Sequence, residues 1–136
     1  GDGGFLHWAA AAGDEDMVKL LVRKGADVSK KDRDRQAPVC WALAERKPLD
    51  MIKLLVGRYG AEIKDVDRGR SLFASVCGGR RRHISPQDRM SIIKYLIEDA
   101  RYVLTDEEKK IIFSHSSEDE FTVKLKSYLQ SRGIRP

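Results

Sequence analysis

The most regular feature of the chain is a pattern of apolar and polar positions that occurs twice. Met17 to Val28 reads MVKLLVRKGADV, and Met51 to Ile63 reads MIKLLVGRYGAEI. In each, the apolar residues are spaced for one stripe of a helix: Met17, Val18, Leu20, Leu21 and Val22, then Met51, Ile52, Leu54, Leu55 and Val56. Each stripe runs into a glycine, Gly25 or Gly60, where a helix end calls for a residue that tolerates the left-handed conformation. A looser third copy, IIKYLIEDA, runs from Ile92 to Ala100, and matching Val18, Ile52 and Ile93 gives steps of 34 (52−18) and 41 (93−52). A second marker lies upstream of each copy. LHWA at Leu6, VCWA at Val39 and LFAS at Leu72 are 33 apart (39−6, 72−39). Two independent markers at one period predict a repeat protein in which each unit is a pair of helices.

The same residues resemble the ankyrin-repeat family. Leu6, His7, Ala9, Ala10, Gly13, Val18, Leu20, Leu21 and Gly25-Ala26-Asp27-Val28 fit that family's unit closely, with a good fit in the second unit and a degraded one afterwards. The resemblance implies an all-α solenoid of stacked helix-turn-helix units joined by short β-hairpin fingers. It implies a single domain over 1–136, with repeats near 4–35, 36–68 and 69–104, a loop inserted at 78–87, and a capping repeat at 105–136. Several family positions are missing. The equivalents of His7 are Cys40 and Phe73, and the threonine before the motif is Gly4, Ala37 and Arg70. Some of the hydrogen bonds that lock regular units are therefore expected to be absent, each worth about 0.5–1.5 kcal/mol net.

Taken in order, the first inner helix is expected over about Leu6 to Ala12, ending at Gly13. Five residues precede the LHWA marker, too few for the hairpin strand of a full unit, so an excised segment or a natural cap is expected there. Asp14 is the expected N-cap of the next helix, with Glu15 and Asp16 suiting the positive end of its dipole. SKKDRDRQA (Ser29 to Ala37) reads as the first finger, with Arg35 where the family's turn has glycine. Pro38 suits the first turn of the second inner helix, expected to run to about Lys47 before Pro48 breaks it. KDVDRGR (Lys64 to Arg70) is the second finger, with Gly69 at its turn. In the third unit the distance between markers grows to 21 (93−72), against 12 (18−6) and 13 (52−39) before it. The surplus falls in CGGRRRHISPQD, read as an exposed loop because Gly78-Gly79 and Pro86 break helices. Thr105 with Glu108 forms a capping box, and a last helix carries Phe121, Leu125, Tyr128 and Leu129 on one face until Gly133.

Composition narrows the function. With 136 residues and 41% hydrophobic content the chain can build a continuous but thin core. A single unit could not fold alone. Ordering each backbone residue costs roughly 1–2 kcal/mol, while burying a large apolar side chain returns about 1.5–3, so neighbouring units must share their faces. The net charge is +5, with both signs interspersed in a surface rich in charge. Cys40 and Cys77 show no metal or redox spacing and point to a reducing compartment, so an intracellular location, cytoplasmic or nuclear, is expected. No apolar stretch approaches the roughly 20 residues that span a bilayer, and no membrane insertion is expected.

Candidate chemistry is sparse. His7 and Cys40 share a repeat position and are expected to be neighbours. A Cys–His dyad would need an orienting group and an oxyanion device, and neither can be named, so no catalytic residue is assigned. The resemblance implies instead that His7 ties down its own turn. Asp14-Glu15-Asp16 and Glu118-Asp119-Glu120 suit helix starts, and His83 and His115 stand apart from other ligand types, so neither a metal nor a cofactor is expected. Trp8 and Trp41 also share a repeat position, and their rings are expected side by side. By the resemblance, finger tips and inner helices form a concave face that grips another protein. Its candidate contacts are Trp8, Lys31, Arg33, Asp34, Gln36, Trp41, Glu45, Asp67, Arg68 and Arg70. An alternative is a basic adaptor for nucleic acid or another polyanion, centred on Arg80, Arg81 and Arg82 in the inserted loop and acting separately from that face.

Overall fold

The computed structural model describes residues 4–78 and 81–136. Helices α1 (Phe5–Ala12) and α2 (Glu15–Arg23) form a first pair. Helix α3 (Pro38–Ala42) is followed by α4 (Leu49–Ile52), which continues as a π-helix over Lys53–Arg58. Then come α5 (Leu72–Cys77), α6 (Pro86–Glu98), α7 (Asp106–Ser114) and α8 (Glu120–Ser131). The chain divides into two compact units, the first ending at Ile84 and the second beginning at Ser85.

In the first unit α1 packs on α2 and α3, and α3 packs on α4 and α5. The residues aligned by the repeat are the ones that enter the core. Leu6, Val39 and Leu72 of the upstream marker are buried, as are Val18 and Ile52 of the helix stripes. Each such side chain contributes about 1.5–3 kcal/mol. Their periodic spacing keeps them on the buried side of successive helices. The caps follow the local sequence. Gly13 ends α1 at φ 71°, and the Asp14 side chain accepts a hydrogen bond from the Met17 amide at 3.0 Å to open α2.

The second helix pair departs from expectation in two ways. Helix α3 stops at Ala42 instead of reaching Lys47, and the amides of Leu43, Ala44 and Glu45 bond three residues back, tightening the end of the helix into turns. The π-helix has a simpler cause. Between the LLV triplet and the terminal glycine the first copy has Arg23 and Lys24, while the second has Gly57, Arg58 and Tyr59. The hydrogen bonds show where the extra residue goes. Lys24 N, Gly25 N and Ala26 N bond to the carbonyls of Leu20, Val22 and Leu21. Tyr59 N, Gly60 N and Ala61 N bond to the equivalent carbonyls of Leu54, Val56 and Leu55, each over a span one residue longer. A one-residue insertion inside a helix is what a π-type widening absorbs. Leu54 and Leu55 stay buried, and both ends of the helix keep their register.

The fingers are turns that meet by single bridges, without extended strands among the described residues. In the first, Asp32 N bonds to Gln36 O at 2.9 Å around a three-residue loop whose last member, Arg35, is left-handed at φ 61°. Arginine thus occupies the conformation in which the family has glycine. In the second, Arg68 (φ 53°) and Gly69 (φ 87°) are both left-handed between Asp67 and Arg70, whose amide bonds back to Asp67 O at 2.9 Å. Two left-handed central residues make this a type I′ turn, the hairpin turn that glycine favours.

In the second unit α8 packs on α6 and on α7. Pro86 does not lie in the loop as a breaker. It is the first residue of α6, behind an Ser85 N-cap that accepts from Asp88 N at 3.1 Å, so the segment between α5 and α6 is 78–85. The Thr105–Glu108 capping box opens α7, and Phe121, Leu125 and Leu129 are buried along α8. Tyr128, expected on the same face, is half-exposed and donates its hydroxyl hydrogen to Glu98 at 2.6 Å.

Candidate functional site

The expected recognition face is built from α1, α3 and the two fingers, all within the first unit. Trp8 and Trp41 project one period apart from adjacent inner helices. Their ring centroids are 6.2 Å apart with a 57° tilt, within the range of favourable aromatic pairs. Trp8 is 68% exposed, whereas Trp41 is half-buried and held by its surroundings. The Trp41 indole N–H donates to Asp32 Oδ2 at 2.8 Å, and His7 packs edge-on against the ring at 5.3 Å. An exposed indole therefore lies against a fixed one.

Asp32 was not among the expected contacts, yet it organises this face. Its Oδ1 accepts from the amides of Asp34 and Gln36 while Oδ2 takes the indole. Burial opposes its ionisation, but the Gln36 amide, the Trp41 indole and the Asp34 amide together hold its carboxyl below the ordinary range. The signal for it is present in the sequence: an aspartate two residues before another turn residue is the pattern of a side chain capping its own turn.

The fingers stack one period apart as expected, through different atoms. Arg68 N bonds to Arg35 O at 3.0 Å, Gln36 Nε2 donates to Asp67 Oδ1 at 3.1 Å, and Lys31 pairs with Asp65 at 3.6 Å. Asp67 is therefore buried among its partners, including Arg68 at 3.3 Å, and is not a rim charge. Gln36 and Lys31 are likewise half-buried and engaged. Arg33, Asp34, Arg68 and Arg70 are the expected contacts whose side chains lie exposed at the rim. Glu45 lies elsewhere. It sits past the end of α3 against Gly13, close enough that a Cβ added there would meet its Oε1 at 2.1 Å. Burial, with the Glu15 and Asp50 carboxylates, raises its carboxyl pKa. This is the helix-turn edge, away from the fingers.

His7 is buried, and its Nε2–H donates to the Gln36 carbonyl at 3.0 Å, tying the next finger and not its own turn. Its repeat equivalent, Cys40, is a buried free thiol. Burial, with Asp67 and Asp32 adding to it, pushes that thiol up to about 11 in spite of Arg81 nearby. A protonated thiol is a poor nucleophile, so this pair has the opposite electrostatics from a catalytic dyad.

The inserted loop does not stand apart from this face. Arg81 Nε donates to the Ser75 carbonyl at 3.2 Å, and Nη2 lies 4.0 Å from Cys40 Sγ on α3. His83 Nε2–H donates to the Leu43 carbonyl at 2.6 Å, and Ile84 is buried. Residues 81–84 are thus held against α3 and α5, and of the expected anion cluster Arg82 remains exposed, while Arg80 lies outside the described residues. Arg81 joins Ala11, Gln36, Cys40, Trp41 and Ala44 in lining a cleft of about 200 Å³ beside the tryptophan pair.

Paired helices linked by stacked turns define a helical repeat protein. Residues 4–67 of the 136 match the family described as ankyrin repeats (3 copies). Such repeats serve generally in protein–protein interaction and are generally non-catalytic. The chain is similar to the palmitoyltransferase AKR1 of Debaryomyces hansenii, 35% identical over 68 residues that make up 50% of this chain and 8% of that protein. Among the described residues no helix is long and apolar enough to cross a membrane, and no cluster of three metal-ligating side chains occurs.

Proposed function

We propose that the first unit recognises another protein through the face made by α1, α3 and the two fingers. The observation that carries this reading is Trp8, a tryptophan left 68% exposed on a helix and braced against a second indole that is itself anchored. Tryptophan is over-represented among binding hot spots, and a braced ring loses little conformational freedom on contact. The exposed Arg33, Asp34, Arg68 and Arg70 at the finger tips supply a charged rim that would orient the partner and set its rate of association.

The test uses partners captured from a lysate by the chain and then measured individually. Trp8→Ala should weaken their binding by tenfold or more with unchanged circular dichroism, because the ring makes little internal packing. Arg33→Glu and Arg68→Glu should slow association and change its salt dependence. Outer-helix substitutions at Lys53 and Arg58 serve as controls. Binding that survives Trp8→Ala and the finger changes but is lost with the outer-helix changes would refute the assignment.

A further inference from the structure

We infer that the cleft beside the tryptophan pair is a pocket for one carboxylate side chain, so that the partner's bound segment is an acidic peptide. This rests on the recognition face proposed above. The cleft holds about 200 Å³ and is lined by Ala11, Gln36, Cys40, Trp41, Ala44 and Arg81. That is below the roughly 300–1,000 Å³ of small-molecule sites, and suits a single side chain. About half of its wall is apolar, from Ala11, Ala44, the Cys40 thiol and the indole of Trp41, and the rest comes from polar groups such as Gln36 and Arg81. The apolar part accepts the methylene stem of a glutamate.

The charge that enters is set by Arg81. Its Nε is held by the Ser75 carbonyl and one terminal nitrogen rests on the weakly accepting Cys40 sulfur at 4.0 Å. A guanidinium has five N–H donors, so these two contacts leave donors for a carboxylate in a fixed fork. The surroundings are biased the same way. The first finger carries Lys30, Lys31, Arg33 and Arg35 against Asp32 and Asp34, and the second carries Lys64, Arg68 and Arg70 against Asp65 and Asp67. Three of the four carboxylates are spent internally, Asp32 on the indole and turn amides, Asp65 on Lys31, and Asp67 on Gln36 and Arg68, which leaves Asp34 as the exposed acid of the rim. An acidic segment crossing the exposed face of Trp8 would thus meet a positive rim and place one carboxylate on Arg81.

The experiment measures fluorescence polarisation of two peptide pools against the intact chain. Both pools have randomised apolar and acidic flanks, and they differ in one central position, fixed as Glu or as Gln. The Glu pool should bind about tenfold more tightly, the size expected for a charge-assisted hydrogen bond. Arg81→Gln, which keeps a donor for the Ser75 carbonyl, should erase the difference, and Arg81→Lys should retain part of it. Trp8→Ala should weaken both pools alike. Equal binding of the two pools that still depends on Trp8 overturns the carboxylate pocket and leaves the recognition face standing. A Glu preference that survives Arg81→Gln overturns the assignment to Arg81. Binding of neither pool, or binding indifferent to Trp8, overturns the recognition face together with the pocket. A duplex oligonucleotide that displaces the Glu pool through Arg82 without Arg81 would place the anion site outside the cleft and refute the proposal.

Discussion

Gly57 is the residue that makes the second outer helix a π-helix, and removing it is a sharp test of the repeat register. Deleting it turns LLVGRYGAEI into LLVRYGAEI, the same length as LLVRKGADV in the first unit. The three bonds from Tyr59, Gly60 and Ala61 to Leu54, Val56 and Leu55 then acquire the spans already made by Lys24, Gly25 and Ala26. No buried side chain is lost, because Gly57 is exposed. The folded chain fixes one residue fewer, which saves roughly 1–2 kcal/mol of backbone entropy. Some of that gain is lost to readjustment of Arg58 and Tyr59, whose cation and ring lie 5.6 Å apart. The net expectation is a stabilisation of about 1 kcal/mol, or about 3–5 °C in melting temperature for a chain of this size. Urea and thermal unfolding followed by circular dichroism would read it. Gly57→Ala is the companion variant, expected to gain about 0.4–1 kcal/mol by restricting the unfolded chain without changing register. If Gly57→Ala stabilises while the deletion lowers the midpoint, the residue is not a tolerated insertion, and the equivalence drawn between the two helices is wrong.

Three further outcomes are expected. Arg35→Gly should raise the unfolding midpoint slightly, since relief of about 1–2 kcal/mol of left-handed strain exceeds the roughly 0.4–1 kcal/mol that glycine costs through the unfolded chain; a fall in the midpoint would show that the arginine side chain holds the finger. Native-state thiol labelling at pH 8 should modify Cys77 well before Cys40, whose thiol is pushed up to about 11 by burial, and equal rates would contradict that environment. The Ser117 hydroxyl and the Thr122 amide and hydroxyl hold Asp119 at about 2, below its unfolded value of 3.8, so its cap on α8 should be intact above about pH 4 and be lost as pH falls towards 2. An Asp119→Asn variant should lack that acid-dependent loss of helicity, and an unchanged acid profile would remove the assignment.

The pattern of apolar positions was enough to place most helices, because burial selects the same residues that define the period. Val18 and Ile52 are fully buried for the reason they align: each lies on the inward stripe of an outer helix. Glycines at helix ends were equally legible, since Gly13, Gly25, Gly60 and Gly133 all take positive φ. The width of a helix was harder to read. The copies differ in length by one residue, which is visible in the alignment, but only the bonding pattern shows the surplus absorbed by widening and not expelled as a bulge in the turn. Burial of charge was less legible still. Asp67 has the composition of a rim residue, and its burial depends on Gln36 and Arg68 arriving from a neighbouring turn and from its own. Glu45 was misplaced because the inner helix was expected to continue. Once α3 tightens after Ala42, residues beyond it no longer keep a helical face.

The departures from the regular unit in the first compact unit are linked by geometry and not scattered. Where the first inner helix has His7, the second has the much smaller Cys40, and where the other units have a short turn, the third has an insertion carrying Arg81. Those two changes are far apart in sequence, yet the guanidinium reaches the thiol. His7 spends its ring nitrogen on the following finger, and Cys40 has no group able to do the same. The second finger is tied instead by Gln36, Arg35 and Lys31 from the first. Loss of the histidine thus removes a stabilising bond but leaves room beside Trp41, and the insertion delivers a cation to that room. His83 and Ile84 make the delivery specific, one by its bond to the Leu43 carbonyl and the other by burial, so that Arg81 is held while Arg82 is not. These contacts hold Arg81 against the inner face, which is the geometry that the proposed carboxylate pocket requires.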